Sequence, residues 1–189
     1  MRRSAEDAEA TRRAVLAAAK ATFVADGYAD ASTTAIAHHA GVTRGALYHH
    51  FPTKQVLFRA VFVDIEQELN RSVLEAASAA SDPLAAFIAG CAAYLDFAIR
   101  PDYRRIATVD GPAVLGQAEW HAIDAELGLA SMSAGLAALG SAGLLSRPAS
   151  PALAVLLFGA LTEAGLALAR RDGPSRQELL DEFIALARG

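Results

Sequence analysis

The fold is decided by Ser32–Lys54, which reads STTAIAHHAGVTRGALYHHFPTK. It holds two short segments of apolar periodicity, and only the turn-length stretch Ala40–Thr43 separates them. Ser32 and Thr43 each stand where an N-cap is favoured, and Gly41 supplies the left-handed backbone that suits a helix end. Two short helices joined by a glycine-containing turn form a helix-turn-helix, and a second helix of about two turns fits the major groove of DNA. The stretch therefore predicts a nucleic-acid-binding element.

The second predicted helix displays polar groups away from its apolar edge, which is formed by Leu47 and Phe51. A guanidinium, a phenol, an imidazole and a glycine that permits close backbone approach are suited to phosphates and base edges. Thr33 and Thr34, at the N-terminus of the first short helix, suit a phosphate. A purely structural corner with a solvated polar face is the alternative. The predicted DNA-binding residues are Thr33, Thr34, Thr43, Arg44, Gly45, Ala46, Tyr48, His49 and Lys54.

A longer run, from Thr11 to Lys54, carries many spaced positions that match one known pattern. They are Thr11-Arg12, Ala18-Ala19, Phe23, Gly27-Tyr28, Ile36-Ala37, Ala40-Gly41-Val42-Thr43, Gly45, Leu47-Tyr48, His50-Phe51 and Lys54. Together they resemble the N-terminal domain of tetracycline-repressor-type (TetR family) transcription regulators, over about a quarter of the chain. The resemblance implies a recognition helix that opens at Thr43 or Arg44 and a chain that works as a ligand-responsive dimer. Two positions depart from the pattern, because Ala46 replaces a common hydroxyl residue and Ser32 replaces the usual Thr.

Composition indicates an almost entirely helical chain with a reduced cysteine. The chain has 189 residues, of which 53% are hydrophobic and 20% are charged, and its single cysteine is Cys91. That length suits one or two small domains with an ample core. One cysteine excludes an internal disulfide and a cysteine metal cluster. Charged residues precede any apolar run within residues 1–10, so no secretory signal is recognised and a cytoplasmic location is expected.

Charge is distributed unevenly along the chain. The net charge is −4, but residues 1–63 hold eight Arg and Lys against five Asp and Glu, a balance of +3. Residues 64–189 hold nine against sixteen, a balance of −7, and four of the five histidines lie in the first part. The local field around the helix-turn-helix therefore favours DNA, whereas the field of the remainder would repel it.

The sequence predicts an all-α fold of about nine helices in two domains. Residues 1–53 form a three-helix DNA-binding domain, and residues 54–189 form a larger effector-binding and dimerisation domain. Small residues between Ser131 and Gly140 favour a loosely packed or broken helix, and Asp110-Gly111-Pro112 predicts a turn. The predicted helices cover Ser4–Asp26, Thr33 to His39 or Ala40, Arg44–His50, Lys54–Ala80, Leu84–Ile99, Tyr103–Val109, Gly116–Leu139, a segment from Pro148 or Pro151 to Arg170-Arg171-Asp172-Gly173, and a last helix capped by Ser175.

The eighth predicted helix is apolar on nearly all sides. Its stretch 152–169 just reaches the length of a membrane span, but Glu163 inside it would cost about 2.5 to 3.5 kcal/mol near mid-membrane. We therefore expect no membrane partner, and cover from a second copy of the chain; a central core helix in a monomer is the alternative. The family resemblance implies a four-helix homodimer interface from the last two helices. The predicted interface residues are Leu153, Leu156, Leu157, Ala160, Ala164, Leu180, Phe183 and Ile184.

The larger domain is predicted to hold a pocket for a small-molecule effector of unknown identity. Apolar and aromatic side chains would form its walls, with sparse polar groups between them. An ordinary core with a solvated helix face remains open for any one of these positions. The predicted pocket residues are Phe62, Ile65, Leu69, Phe87, Cys91, Tyr94, Ile106, Trp120 and Phe158, with the polar residues Asp110, Gln117, His121, Asp124 and Thr162.

These observations predict a ligand-responsive dimeric transcriptional regulator. We expect a repressor that binds a palindromic operator in double-stranded DNA through its third helix and is released by the effector. An enzyme is disfavoured, because the sequence has no Gly-x-Ser-x-Gly elbow, phosphate-binding glycine loop or His-Glu-x-x-His, and the pair His121 and Asp124 has no evident nucleophile. No cofactor and no metal are expected, since neighbouring histidines point to different helix faces. A helical protein-interaction adaptor without specific DNA binding is the alternative.

Overall fold

The computed structural model describes residues 2–170 and 173–189, and it confirms the predicted all-α class. Over these residues the chain forms nine helical segments and no strand. The segments are α1 (Arg2–Asp30), α2 (Thr33–His39), α3 (Arg44–His50), α4 (Lys54–Ser78), α5 (Pro83–Ala98), α6 (Pro101–Leu115), α7 (Gln117–Ser141), α8 (Pro151–Arg170) and α9 (Arg176–Arg188).

The helix-turn-helix has the predicted bounds and caps. The Ser32 and Thr43 hydroxyls each accept the backbone N–H three residues later, at 3.4 and 3.1 Å, and so satisfy otherwise unpaired donors of α2 and α3. Gly41 takes a φ of 68°, the left-handed conformation expected of the turn. Leu47 and Phe51 are buried, as their spacing predicted. Local chemistry therefore explains this motif without long-range contacts.

Caps at the other helix starts also follow the sequence. Thr53 accepts the N–H of Val56, and Asp82 caps α5 with Pro83 in its first turn. Ser175 and Glu178 form the predicted capping box at the start of α9, with both reciprocal hydrogen bonds present. The starts of α4, α5 and α9 are thus confirmed.

The prediction that Gly27 ends the first helix is only partly right. Gly27 has a φ of 78°, but a further helical turn continues to Asp30. The Arg105 guanidinium lies against this position, since a Cβ on Gly27 would be 1.4 Å from Arg105 Nη2. Glycine is therefore required twice, for its backbone angle and for the absence of a side chain.

The predicted turn at Asp110-Gly111-Pro112 is wrong. The chain is helical through all of α6, with a π-helical stretch at Arg104–Asp110, and it ends at Gly116 with a φ of 79°. Asp110 accepts the N–H of Tyr28 at 2.9 Å, and its carboxylate lies 3.2 Å from Arg105 Nε. These tertiary contacts stabilise the helical path. Pro112 lies in the first turn of the α-helical stretch Gly111–Leu115 that follows the π-helical stretch, where proline is tolerated.

The predicted break in the seventh helix is also wrong, because α7 is continuous from Gln117 to Ser141. Its small residues receive aromatic rings instead. A Cβ on Gly128 would lie 2.1 Å from the Phe158 ring, and one on Gly135 would lie 2.8 Å from the Phe87 ring. The glycines are therefore packing positions and not breaks.

The α8 helix begins at Pro151, which is one of the two prolines predicted as its start. Its predicted end includes Arg171 and Asp172, which lie outside the described residues. Within the described residues, α7 and α8 are long and apolar enough to cross a membrane by length and composition, and α5 with α6 passes the same test only as a bent pair. Glu163 is exposed on α8, where its carboxylate lies 2.6 Å from the Arg170 guanidinium. Hydropathy alone therefore does not separate a span from a helix covered by protein.

The chain divides into two compact units. The first unit contains the chain up to Ile65 and Arg105–Trp120, and an aromatic cluster of Phe23, Tyr28 and Phe58 lies in it. The second unit contains Glu66–Arg104 and His121–Gly189, where α5 packs on α8 and α9 packs on both. The functional division into residues 1–53 and 54–189 stays a prediction.

Candidate nucleic-acid interface and effector cavity

The candidate nucleic-acid interface is the outward face of α3 with the start of α2. Arg44, Gly45 and His49 are exposed on α3, and so are Thr34 and the cap Thr43. Thr33, Ala46 and Tyr48 are partly exposed. Eight of the nine predicted DNA-binding residues therefore lie at least partly open to solvent within two short helices and the turn that joins them.

Tyr48 is held in place from both helices. Its hydroxyl lies 3.0 Å from the Thr33 hydroxyl, and its ring lies 5.8 Å from Arg44 Cζ. The hydrogen bonds from Thr33 and Arg44 lower the pKa of Tyr48 from its ordinary value. A side chain that is already oriented loses less conformational entropy on binding than a free one.

Gly45 has no evident role within the protein. A Cβ at this position would meet nothing closer than the Thr43 hydroxyl at 3.8 Å, which is an ordinary contact. Its backbone is helical and has no positive φ. A helical glycine costs about 1 kcal/mol relative to alanine, so this position is better explained by something that approaches the backbone from outside.

Lys54, the ninth predicted DNA-binding residue, is partly exposed and contacts the end of α1. Its ammonium donates to the carbonyl oxygens of Ala29 and Ala31 at 3.0 and 2.8 Å, and it lies 4.7 Å from the Tyr28 ring centroid. These contacts neutralise unpaired carbonyls at the end of α1, where a cation is favourable. The side chain therefore connects α4 to α1, and a role of Lys54 in DNA binding stays a prediction.

The candidate effector site is a cavity of about 200 Å³ within the second unit. Its wall is almost wholly apolar and comes from α4, α5, α7 and α8. Six of the predicted pocket residues line it, namely Leu69, Phe87, Cys91, Tyr94, Asp124 and Phe158. Burial raises the pKa of the Cys91 thiol to about 12, so this group stays protonated and acts as a small apolar residue.

The other predicted pocket residues lie elsewhere. Phe62, Ile65, Ile106, Asp110, Gln117 and Trp120 belong to the first unit, whereas the cavity is lined by the second unit alone. Phe62, Ile65 and Ile106 are fully buried core, and the Trp120 indole donates to the Ala107 carbonyl at 2.8 Å. His121 and Thr162 are in the second unit but do not line the cavity. Periodicity identified these residues as inward-facing without separating core from cavity wall.

Glu66 is an acidic residue of the cavity wall that was not predicted from the sequence. It is 3% exposed and lies beside Leu69 on the inner side of α4. The signal was present, since Glu66 falls four residues after Phe62 and three before Leu69, on the same helical stripe. Its carboxyl oxygen Oε1 and Oδ2 of Asp124 are buried without a hydrogen-bond partner among the described residues.

Most of the predicted interface residues face inward. Leu153, Leu157, Ala164, Leu180 and Phe183 are buried within the chain itself, so their side chains are not presented to a partner. Leu156 is 71% exposed, and Ala160 and Ile184 are partly exposed. Val155 and Leu186, which were not predicted, are 56% and 55% exposed. The outward apolar face of α8 and α9 therefore combines three predicted residues with two that were not predicted.

Two family models match the chain. Residues 15–61 match the model of bacterial regulatory proteins of the tetR family, which covers the helix-turn-helix. Residues 84–189 match the model of a tetracyclin repressor-like C-terminal domain, which covers more than half of the chain.

Named relatives agree with these models. The transcriptional regulator SrpR of Pseudomonas putida is 44% identical over 68 residues, which is 36% of this chain and 32% of that protein. The transcriptional repressor BepR of Brucella suis is 44% identical over 61 residues, or 32% and 29% of the two chains. The match thus spans about a third of the length of these curated relatives.

The crystal structure of a TetR-family regulator from Pectobacterium atrosepticum extends the similarity to the whole fold. It is 33% identical, covers 95% of this chain and 91% of its own, and has a TM-score of 0.78. Since both halves match family models and a solved family member matches nearly end to end, the chain belongs to the TetR family of bacterial transcriptional regulators.

Proposed function

We propose that the chain is a homodimeric repressor that binds a palindromic operator through α3 and is released by a small molecule bound in its C-terminal part. The observation that carries this proposal is the outward face of α3, where Arg44, Gly45 and His49 are exposed beside an oriented Tyr48. BepR, which is similar to this chain over 61 residues, is named a repressor.

Each group on α3 has a distinct role in duplex recognition. Arg44 can donate two parallel hydrogen bonds to guanine or hold a phosphate, and Gly45 lets the backbone approach the sugar-phosphate chain. Tyr48 and His49 reach base edges or phosphates, while Thr33, Thr34 and Thr43 bind phosphate from the flank. The +3 balance of residues 1–63 adds attraction that does not depend on sequence.

The apolar face of α8 and α9 supports the proposed dimerisation. Val155, Leu156 and Leu186 are each more than half exposed on these two helices. Exposed apolar side chains of this kind on adjacent helices favour an interface with a second copy. A twofold dimer would present two α3 helices to half-sites about 34 Å apart, which is one turn of DNA.

Release by an effector requires a difference between two states of the dimer. A ligand shifts the equilibrium only if it binds one state of the dimer more tightly than the DNA-bound state. In that state the two DNA-binding domains would not match the spacing of the half-sites. The cavity of the second unit is the candidate ligand site. We assign DNA binding to residues 1–53 and ligand binding with dimerisation to residues 54–189, in a protein that works in the cytoplasm.

Selection of duplexes from a random pool tests the proposal. The purified chain should enrich a palindromic site and bind it with an affinity that falls steeply with salt concentration. Arg44→Ala should weaken binding to the selected duplex about 10- to 100-fold, since a bidentate arginine contact contributes about 1 to 3 kcal/mol. The melting temperature should not change, because Arg44 is exposed.

Arg71→Ala is the matched control, since it removes the same charge from an exposed position on α4. It should leave binding to the selected duplex within about twofold. An adaptor that uses the hairpin against protein predicts weak duplex binding without sequence preference. Failure to enrich any duplex, or equal losses in the two variants, would therefore contradict operator recognition by α3.

A further inference from the structure

The cavity of the second unit contains two acidic side chains that each have one oxygen without a hydrogen-bond partner. Glu66 Oε1 and Asp124 Oδ2 are buried, and neither has a hydrogen-bond partner among the described residues. Glu66 is 3% exposed and Asp124 is 5% exposed, and both line the same apolar cavity. A buried acceptor that stays unsatisfied costs roughly 1 to 3 kcal/mol, so two in one cavity require an explanation.

The electrostatics of the cavity favour a cation. Burial raises the pKa of Glu66 to about 8, and the negative charge of Asp124 adds to that rise, whereas a hydrogen bond from Tyr103 opposes it. Burial raises the pKa of Asp124 to about 6, and His121 opposes that rise. Among the described residues, the cavity wall contains no Lys, Arg or His. Near neutral pH the cavity therefore holds the Asp124 carboxylate, which His121 approaches from outside the wall, and the Glu66 carboxylic acid, with no cation in the wall itself.

The surroundings select an organic cation over a metal ion. The described residues contain no group of three or more His, Cys, Asp or Glu side chains that could hold a metal. The rings of Phe87, Tyr94 and Phe158 line the wall and can pack against an apolar body or the face of a cation. A volume of about 200 Å³ lies below the roughly 300 to 1,000 Å³ of drug-sized pockets, so the ligand is small.

We propose that this cavity binds a small protonated amine with an apolar body, whose N–H groups donate to Glu66 and Asp124. The inference rests on the proposed effector role of the second unit and names the chemistry of that effector. A primary or secondary ammonium has enough donors for both vacant oxygens, whereas a quaternary ammonium has none. A neutral alcohol of the same shape donates only one hydrogen bond and has no charge to pair with the carboxylate, and an anionic molecule is repelled by that carboxylate.

The arrangement makes binding depend on pH. Full pairing requires Glu66 to lose its proton, and burial raises the pKa of that carboxyl to about 8. The titratable groups that face Glu66 are Asp124, Tyr103 and Tyr94, and His121 acts on Asp124. Tyr94 and Tyr103 stay neutral, since burial raises the pKa of each hydroxyl. Amine affinity should therefore rise about tenfold from pH 6.5 to 7.5 and level off above pH 8.

Calorimetric titration of the full chain tests the ligand class. Benzylamine, 2-phenylethylamine and cyclohexylamine are each compared at pH 8 with the alcohol of the same carbon skeleton. At least one amine should bind ten times more tightly than its alcohol, and its N-trimethylated form should lose that advantage. Equal binding of every amine and its alcohol, or no binding by any amine, would overturn the proposal.

Variants of the two acids locate the site. Glu66→Gln and Asp124→Asn should each weaken amine binding at least tenfold while changing alcohol binding by less than twofold. Glu68→Gln, which removes a charge from the same helix outside the cavity wall, should retain amine binding and its pH dependence. An equal loss in Glu68→Gln would show a nonspecific charge effect and contradict the site, and thermal melting confirms that each variant is folded.

The same preparations separate this inference from the proposed function. If the selected duplex binds normally but no amine is preferred, the ligand class is wrong and the operator-binding proposal stands. If an amine is preferred but no duplex is enriched, the cavity assignment stands and the regulator proposal fails.

Discussion

The DNA-facing surface and the cavity handle their polar groups in opposite ways. On α2 and α3, Thr33, Arg44 and Tyr48 are open to solvent and contact one another, so none requires a ligand for its own stability. In the second unit, Glu66 and Asp124 are buried without full pairing in an apolar cavity. The exposed arrangement costs little folding free energy and leaves its polar groups available to DNA. The buried arrangement lowers the stability of the folded chain unless a ligand pairs with the acidic groups.

That difference separates the residues that indicate DNA binding from the residues that indicate the chemistry of the effector. A surface tuned for DNA is recognised from its exposed residues and net charge. A cavity tuned for a ligand is recognised from buried groups that the protein itself leaves unsatisfied. In this chain the two signals occur in different compact units.

The largest effect is expected where burial differs between adjacent residues of α8. Leu157 is 2% exposed and Leu156 is 71% exposed. Leu157→Glu places a charge in the core and should lower the free energy of unfolding by about 4 kcal/mol or more, which denaturant unfolding measures.

Leu156→Glu should keep the chain folded with its melting temperature nearly unchanged, but light scattering should find monomer and operator affinity should drop. An intact dimer in Leu156→Glu would remove the outward face of α8 from the interface. Such a result would mean that the outward face of α8 does not link the DNA-facing surfaces and cavities of two copies.

A smaller effect is expected from neutralising one cavity acid. The pKa of Glu66 is raised to about 8, so the folded chain holds this proton more tightly than the unfolded chain does. The free energy of unfolding of the wild type should therefore decrease as pH rises from about 5 to 8 and then level off. Glu66→Gln should remove most of the decrease above pH 6 and be more stable at pH 8 by about 1 to 3 kcal/mol.

Urea unfolding at pH 5.5 and 8 measures this difference, with Glu68→Gln as control. Below about pH 6 a residual slope is expected in Glu66→Gln, because the pKa of Asp124 is also raised. A parallel pH dependence in wild type and Glu66→Gln would contradict the unpaired acid, and with it the contrast between the two regions.

The smallest effect on stability is expected at Gly45. Gly45→Ala should stabilise the fold by about 0.5 to 1 kcal/mol, since nothing in the protein requires glycine there. Operator affinity should nevertheless fall, because a methyl group would hold the backbone away from DNA. Thermal melting and duplex titration on the same samples measure both quantities.

Gly41→Ala is the control, because it also adds a methyl group in open space but at a φ of 68°. It should destabilise the fold through backbone strain. Unchanged operator affinity in Gly45→Ala would remove the close approach at α3 and weaken the distinction between the DNA-facing surface and an ordinary solvated helix.

Membership of a family of transcriptional regulators confirms the prediction that the chain is not an enzyme. The same membership accounts for the apolar α7 and α8 as helices of a regulator fold.

The amino-acid sequence by itself determined the helical class, the helix-turn-helix with its Ser32 and Thr43 caps, and the capping box at Ser175. These features depend on residues three or four positions apart, so local chemistry is enough to specify them. The tertiary structure alone decided the helical path through Asp110-Gly111-Pro112, the role of Gly128 and Gly135, and the membership of the cavity wall.

The physical reason is that those features are set by contacts between residues far apart in the chain. Asp110 accepts a hydrogen bond from the Tyr28 backbone, and rings from α5 and α8 occupy the space beside the glycines of α7. Helical periodicity shows that Glu66 and Phe62 face the same way, but only packing against neighbouring helices makes one a cavity wall and the other solid core.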